Sequence, residues 1–163
     1  MIEARSQYVF NSVQGVEVAY GDAVAVFDGN TGAYVARVPI RLLPDSAGVS
    51  NTNQAVGGIA VSLDGTRAYV TKEVWGATRA AVIVLFDALA LQQVDLSPND
   101  ADKPANERTW APAVTLEPDS DPRYLQISRD GTRLFVADRS HPRVYVIDID
   151  PASSTYHTLL KTI

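Results

Sequence analysis

The feature that most limits how this chain can fold is a phrase written twice. Ile127-Ser128-Arg129-Asp130-Gly131-Thr132-Arg133-Leu134-Phe135-Val136-Ala137 repeats the earlier Val61-Ser62-Leu63-Asp64-Gly65-Thr66-Arg67-Ala68-Tyr69-Val70-Thr71. In both, apolar residues flank an Asp-Gly pair. Glycine tolerates positive φ and aspartate hydrogen-bonds its local backbone, so each phrase reads as a strand, a tight turn and a returning strand. A hairpin that recurs within one chain implies repeated architecture, and a repeat sets the frame in which every other motif is read.

Taken in order, the chain supplies more strands between the same kind of punctuation. Tyr8-Val9-Phe10 is aromatic and β-branched, and Ala23 to Phe27 is an apolar run ending in Asp28. Asp28-Gly29-Asn30-Thr31-Gly32 is a dense turn signal before Ala33 to Ile40. Ala80 to Phe86 ends in Asp87, and Leu89 to Val94 returns from it. Val144 to Asp148 and Tyr156 to Ile163 close the chain. Tyr8, Tyr69 and Phe135 register on one another, as do Asp28, Asp87 and Asp148, at spacings of about sixty residues. Short strands at near-constant spacing, without a helical pattern, are the signature of propeller blades. The spacing exceeds that of common blades because Arg41–Gly57 and Leu96–Pro122 are long, the latter with five prolines.

The two hairpin phrases resemble the YVTN-type, lactonase-like β-propeller repeat. Tyr69-Val70-Thr71-Lys72 departs from the YVTN tetrad only at its last position, and Asp121-Pro122-Arg123 is similar to that repeat's entry into a blade. The resemblance implies an all-β fold made of about three four-stranded antiparallel blades. The boundaries expected are blade 1 over 1–41, blade 2 over 57–96 and blade 3 over 122–163, with a long loop over 97–121. Aligning the first blade on the others leaves it without its innermost strand, so eleven strands are expected. The family includes surface proteins, lactonase-like enzymes and cofactor-dependent dehydrogenases, so it implies fold more than function. It also implies a periplasmic, secreted or cell-surface setting.

Composition removes several alternatives. A net charge of −5 is the wrong sign for a general nucleic-acid binder, because phosphate neutralisation needs a basic face. There are no cysteines, so disulfides and thiolate metal sites are excluded. The longest wholly apolar run, Ala80 to Phe86, is far short of the ~20 residues that span a bilayer as a helix. Three blades do not close a ring. Either copies of the chain associate or further blades complete a larger propeller, since open strand edges and apolar faces invite pairing.

The long connections fall on one face of such a fold, and binding residues concentrate in loops carried by a rigid scaffold. That face holds the candidate ligand- or partner-binding residues Trp75, Arg79, Trp110, Asp121, Arg123, Asp138, Arg139 and His141, together with Lys72, Glu73 and Asp119. The plain readings weigh against each. Asp64 and Asp130 belong to turns, and Asp28, Asp87 and Asp148 are expected to accept turn amides rather than bind metal. Asp28-Gly29-Asn30 begins like a calcium loop, but no glutamate closes it. Asp119 and Asp121, near Asp100, Asp102 and Glu117, suit a divalent cation by donor type, though a solvated acidic loop is the simpler account. No cofactor is predicted. His141 stands in a loop beside Pro142, and His157 alternates with Tyr156 and Thr158 on an expected outer strand. Trp75 and Trp110 suit inter-blade packing or a partner better than a sugar platform. No nucleophile-elbow, zinc-helix, Walker or dinucleotide pattern occurs. The reading favoured is a non-catalytic module for protein or ligand binding and assembly. The alternative is part of a lactonase-like hydrolase with a carboxylate and histidine site.

Overall fold

A computed structural model describes residues 8–13, 23–40, 54–74, 80–96 and 111–163. Among them there is no helix; antiparallel strands form three sheets. The first sheet is β1 (Tyr8–Val13), β2 (Ala23–Asp28) and β3 (Tyr34–Pro39), in that order. The second is β4 (Gln54–Val61), β5 (Arg67–Val74), β6 (Ala80–Asp87) and β7 (Gln92–Gln93), with β8 (Val114–Thr115) also on β6. The third is β9 (Pro122–Ile127), β10 (Arg133–Asp138), β11 (Arg143–Asp148) and β12 (Leu159–Thr162). This is the arrangement of a partial all-β propeller.

The two repeated hairpins are held by the same kinds of bond between equivalent residues. Ser62 Oγ donates to Asp64 at 2.5 Å, as Ser128 Oγ does to Asp130. The Thr66 and Thr132 amides reach the same aspartates at 3.1 and 3.0 Å. Gly65 and Gly131 take φ of 71° and 77°, which supplies the left-handed turn residue that an L side chain resists. The strand-ending aspartates behave likewise: Asp28 accepts the Asn30 and Thr31 amides, Asp87 those of Leu89 and Ala90, and Asp148 that of Asp150.

The second and third sheets each bury one face against the sheet before it. Val24, Val26, Val38 and Ile40 of the first sheet meet Val56, Ala68, Val70, Val82, Val84 and Phe86 of the second. The second sheet's other face, with Tyr69, Ile83 and Leu85, meets Ile127, Leu134, Val136, Tyr145 and Ile147 of the third. The inner strands β4 and β9 run side by side there. A Cβ on Gly57 would sit 2.5 Å from the Pro122 carbonyl oxygen, and one on Gly58 would overlap the Arg123 carbonyl and Leu125 Cδ1. Both strands carry a register shift at the same place, between Val56 and Ile59 in β4 and opposite Ala137 and Asp138 for β9. In this register Gly58 and Tyr124 are equivalent.

The remaining face of the third sheet is covered less than the other. Tyr124 is 74% exposed and Phe135 36%, with Val144 and Val146 half-buried between the strands.

Four local expectations change. Opposite Asp28 stands Tyr8, whereas opposite Asp87 and Asp148 stand Arg67 and Arg133; Phe10, not Tyr8, therefore takes the place of Tyr69 and Phe135. The offset is two residues, so the face is kept. The expected loop over 97–121 contains β8, because the Val114–Thr115 backbone finishes the ladder that β7 begins. Val94 N bonds Leu85 O at 2.9 Å, and Ala113 N bonds Ile83 O at 2.7 Å. The outer strand is thus split by an excursion from its middle. That moves the departure point from the loop face to the outer rim. His157 lies in a turn at φ 62° rather than on a strand, since Ser153 and Thr155 hydroxyls bind Asp148 at 2.7 and 2.6 Å and curl the segment. Asp138 and Lys72 are strand residues and buried, not loop residues.

Candidate functional site

At the loop end of the second and third sheets, strand ends deliver charged side chains into one cluster. β5 runs on past the tight hairpin to Val74 and so carries Glu73 to this end. The Glu117–Asp121 segment leads into β9, which contributes Arg123 as its second residue. β10 ends on Asp138, Arg139 follows it, and β11 opens on Arg143.

Asp121 is the centre of the upper half. It is 1% exposed, with Arg123 Nε 2.5 Å from one oxygen and an Arg139 Nη 2.6 Å from the other. Arg123 also reaches Glu73, equally buried, at 3.2 Å. Burial resists the Asp121 charge. The Glu73 side chain and the two guanidinium groups outweigh it and hold the pKa below the ordinary carboxylate value. Because Glu73 belongs to the second sheet and Asp121 to the third, this cluster ties the sheets together.

Asp138 organises the lower half. Its Oδ1 accepts the amides of Asp121 (3.1 Å), Ser140 (2.8 Å) and His141 (3.3 Å), while Oδ2 takes Arg143 Nε at 2.8 Å. Burial again opposes the charge, but these donors bring the pKa down to about 2. Arg143 continues to Glu117 and, at 3.2 Å, to Ser120 Oγ, which lies 2.6 Å from the Tyr145 hydroxyl. The Arg143 guanidinium sits 5.2 Å from the Tyr145 ring centroid.

The structure therefore brings together Asp121, Arg123, Asp138, Arg139 and His141. His141 is half-exposed, its Nδ1 3.5 Å from Asp138 and 3.3 Å from Arg143. Trp75, Arg79 and Trp110 lie outside the described residues, as do Asp100 and Asp102. Asp119 is exposed at φ 61° and joins no part of the cluster. Glu73, on the expected face, and Glu117, named beside Asp119 and Asp121 for a cation, were not among the chosen site residues, and Ser120, Arg143 and Tyr145 were not anticipated there. A usable signal existed for Tyr145: a tyrosine inside the apolar run Val144–Ile147 needs a buried partner for its hydroxyl. Among the described residues no group of three or more His, Asp or Glu side chains is arranged to hold a metal ion.

Chemically, the cluster is a set of carboxylates already matched by cations. A general base needs a free lone pair and a pKa near the working pH; Asp121 and Asp138 have neither. The exposed polar groups of the cluster are the outer edge of Arg139, the His141 ring and the Glu117 carboxylate. At the opposite, tight-turn end a shallow hollow of about 510 Å³ is lined by Asp64, Thr66, Arg67, Leu85, Asp87, Leu89 and Val94.

Solved structures with the same arrangement of sheets exist. The chain is similar to a Kuenenia stuttgartiensis hydrazine synthase structure, with a TM-score of 0.62 at 13% identity over 96% of this chain and 46% of that one. A periplasmic gluconolactonase of Pseudomonas aeruginosa matches with a TM-score of 0.53 at 19% identity, over 96% and 39%. A putative 6-phosphogluconolactonase of Bacteroides fragilis matches with 0.51 at 18%, over 96% and 36%. At these identities the likeness is one of fold. The chain spans less than half the length of each, so it corresponds to part of a propeller that needs completion. No protein-family model matches the sequence, and no curated protein does. Among the described residues no helix is long and apolar enough to cross a membrane.

Proposed function

We propose that this chain is a non-catalytic β-propeller module of the YVTN type. It serves protein or ligand binding and assembly, and another chain or further blades complete it. The observation that carries this reading is the state of the candidate carboxylates. Asp121 and Asp138 are buried and bound by Arg123, Arg139, Arg143 and backbone amides, while the less covered face of the third sheet exposes Tyr124 and Phe135. Such carboxylates fix one sheet against the next, and the exposed Arg139 and His141 give the loop end a contact surface. A periplasmic, secreted or surface location accords with the gluconolactonase likeness.

A second reading, part of a lactonase-like hydrolase, draws on the same convergence. Glu73, Asp121, Arg123 and Arg139 meet at the loop end of adjacent sheets, with His141 half-exposed nearby. Hydrolysis of sugar lactones, followed by pH-stat with and without divalent cations, separates the two. The module reading expects no turnover above buffer. Turnover lost in both His141→Gln and Asp121→Asn, with circular dichroism unchanged, establishes the hydrolase instead.

A further inference from the structure

One charge pair is closed in the third sheet and open in the second. Arg67 stands opposite Asp87 on β5 and β6, as Arg133 stands opposite Asp148 on β10 and β11. Residues directly opposed on an antiparallel ladder lie within side-chain reach of each other. Arg133 takes that partner, its Nη1 2.8 Å from Asp148. Arg67 does not. Among the described residues no ion pair joins it to Asp87, and its guanidinium lies 5.9 Å from the Tyr156 ring centroid instead.

The neighbouring sheet supplies that ring. Ser153 and Thr155 hydroxyls curl their turn onto Asp148, and Tyr156 stacks on His157 with centroids 3.6 Å apart. His157 in turn meets the Tyr69 hydroxyl of the second sheet at 3.4 Å. The turn is thereby fixed against β5, where its aromatic face competes with Asp87 for the guanidinium.

Arg67 and Asp87 both line the tight-turn hollow, whose volume of about 510 Å³ falls within the ~300–1,000 Å³ of small-molecule sites. Its groups are sorted by chemistry. Asp87 Oδ1 accepts the Leu89 and Ala90 amides, while among the described residues its Oδ2 accepts no hydrogen bond. Asp64 has both oxygens engaged within its own turn, so it adds charge rather than a binding atom. Leu85, Leu89 and Val94 form an aliphatic wall, with Leu89 64% exposed at the lip. A cation and an anion kept apart beside such a wall match a ligand that carries both opposite charges on an aliphatic body. A ligand with one charge leaves the other group unanswered and lacks one charge-assisted bond.

We propose that this hollow binds a free aliphatic α-amino acid, its carboxylate on Arg67, its ammonium on Asp87 Oδ2 and its side chain against Leu85, Leu89 and Val94. The site goes beyond the module reading, because it stands at the opposite end from the charged cluster and uses the second sheet of this chain alone.

Amide NMR titration of the whole chain with L-leucine tests it. Glycine, isocaproate and isoamylamine are the probes that lack the side chain, the ammonium and the carboxylate. Leucine should bind at least about tenfold tighter than each, with the largest shifts at the Arg67, Leu89 and Ala90 amides. Arg67→Gln should weaken leucine about tenfold and leave isoamylamine unchanged. Asp87→Asn keeps an oxygen for the Leu89 and Ala90 amides; it should weaken leucine as much and leave isocaproate unchanged. Leu89→Ser, at the exposed lip, should weaken leucine and spare glycine. A chain with wild-type circular dichroism that shows no shift up to about 10 mM leucine overturns the site. Isocaproate or isoamylamine binding as tightly as leucine overturns the paired charges, and leucine binding indifferent to both Arg67→Gln and Asp87→Asn overturns the assigned groups. None of these results bears on lactone turnover, so the module reading stands or falls separately.

Discussion

The two ends of the sheets solve the same problem by different means. At the tight-turn end Asp64 and Asp130 are satisfied within five residues by Ser, Thr and backbone amides, so each sheet caps itself. At the loop end Asp121 is satisfied by Arg139 and by Arg123, which also reaches Glu73, so its neighbours come from two sheets. Local capping makes each hairpin independent of its surroundings. Shared charge makes the joint between sheets depend on all its members. The first end should therefore lose stability in equal small steps, and the second in one large one.

The largest step is expected from Asp121→Ala, which leaves Arg123 and Arg139 facing a hole; removing one partner of a buried pair costs about 3–5 kcal/mol. Urea denaturation measures it, and a loss below about 1 kcal/mol would show that the joint is not electrostatic. Next is Gly58→Ala, whose methyl group meets the β9 backbone. It should cost about 3 kcal/mol and loosen the second sheet from the third, visible as faster amide exchange in β9 than in β10. Asp64→Ala and Asp130→Ala form the sharpening pair. Each should cost about 1 kcal/mol, and they should agree closely because their bonds are of the same kinds. A twofold disagreement breaks the equivalence of the turns.

The smallest effect is one of pH. Burial lowers the His157 pKa from 6.5 to about 4, beside Tyr69, whose hydroxyl is 3.4 Å away. The native ring is then neutral where the unfolded ring binds a proton. The stability it contributes is whole above pH 6.5 and declines as pH falls toward 4. His157→Gln should flatten the dependence of Tm on pH across that window. Wild-type stability that rises on acidification from pH 6.5 to 4 contradicts this.

Much of the fold was legible because the information is local. Asp-Gly between apolar runs fixes a turn wherever it occurs, and the three strand-ending aspartates carry their acceptors with them. The meeting of Glu73 with Asp121 was not legible, since no spacing connects residues on two sheets that only packing brings together. Nor was β8: two residues between Pro112 and Pro118 have no periodicity, and their strand character comes wholly from the open edge of β6. The register of β1 was misread by two for a related reason. Aromatic matching favoured Tyr8, whereas the Asp28 turn sets the pairing and selects Phe10. Asp121, Arg123, Asp138, Arg139 and His141 were found as a group because a repeat fold sends all its connections to one end.

The interrupted outer strand has a practical consequence. Leu85 and Ile83, two residues apart on β6, pin the Val94 and Ala113 amides, so the points of departure and return are near neighbours whatever lies between. Lengthening a closed segment adds only about 0.6 kcal/mol per doubling. A change in the length of the segment between Val94 and Ala113 is therefore expected to cost the second sheet little as long as these two bonds to β6 are kept.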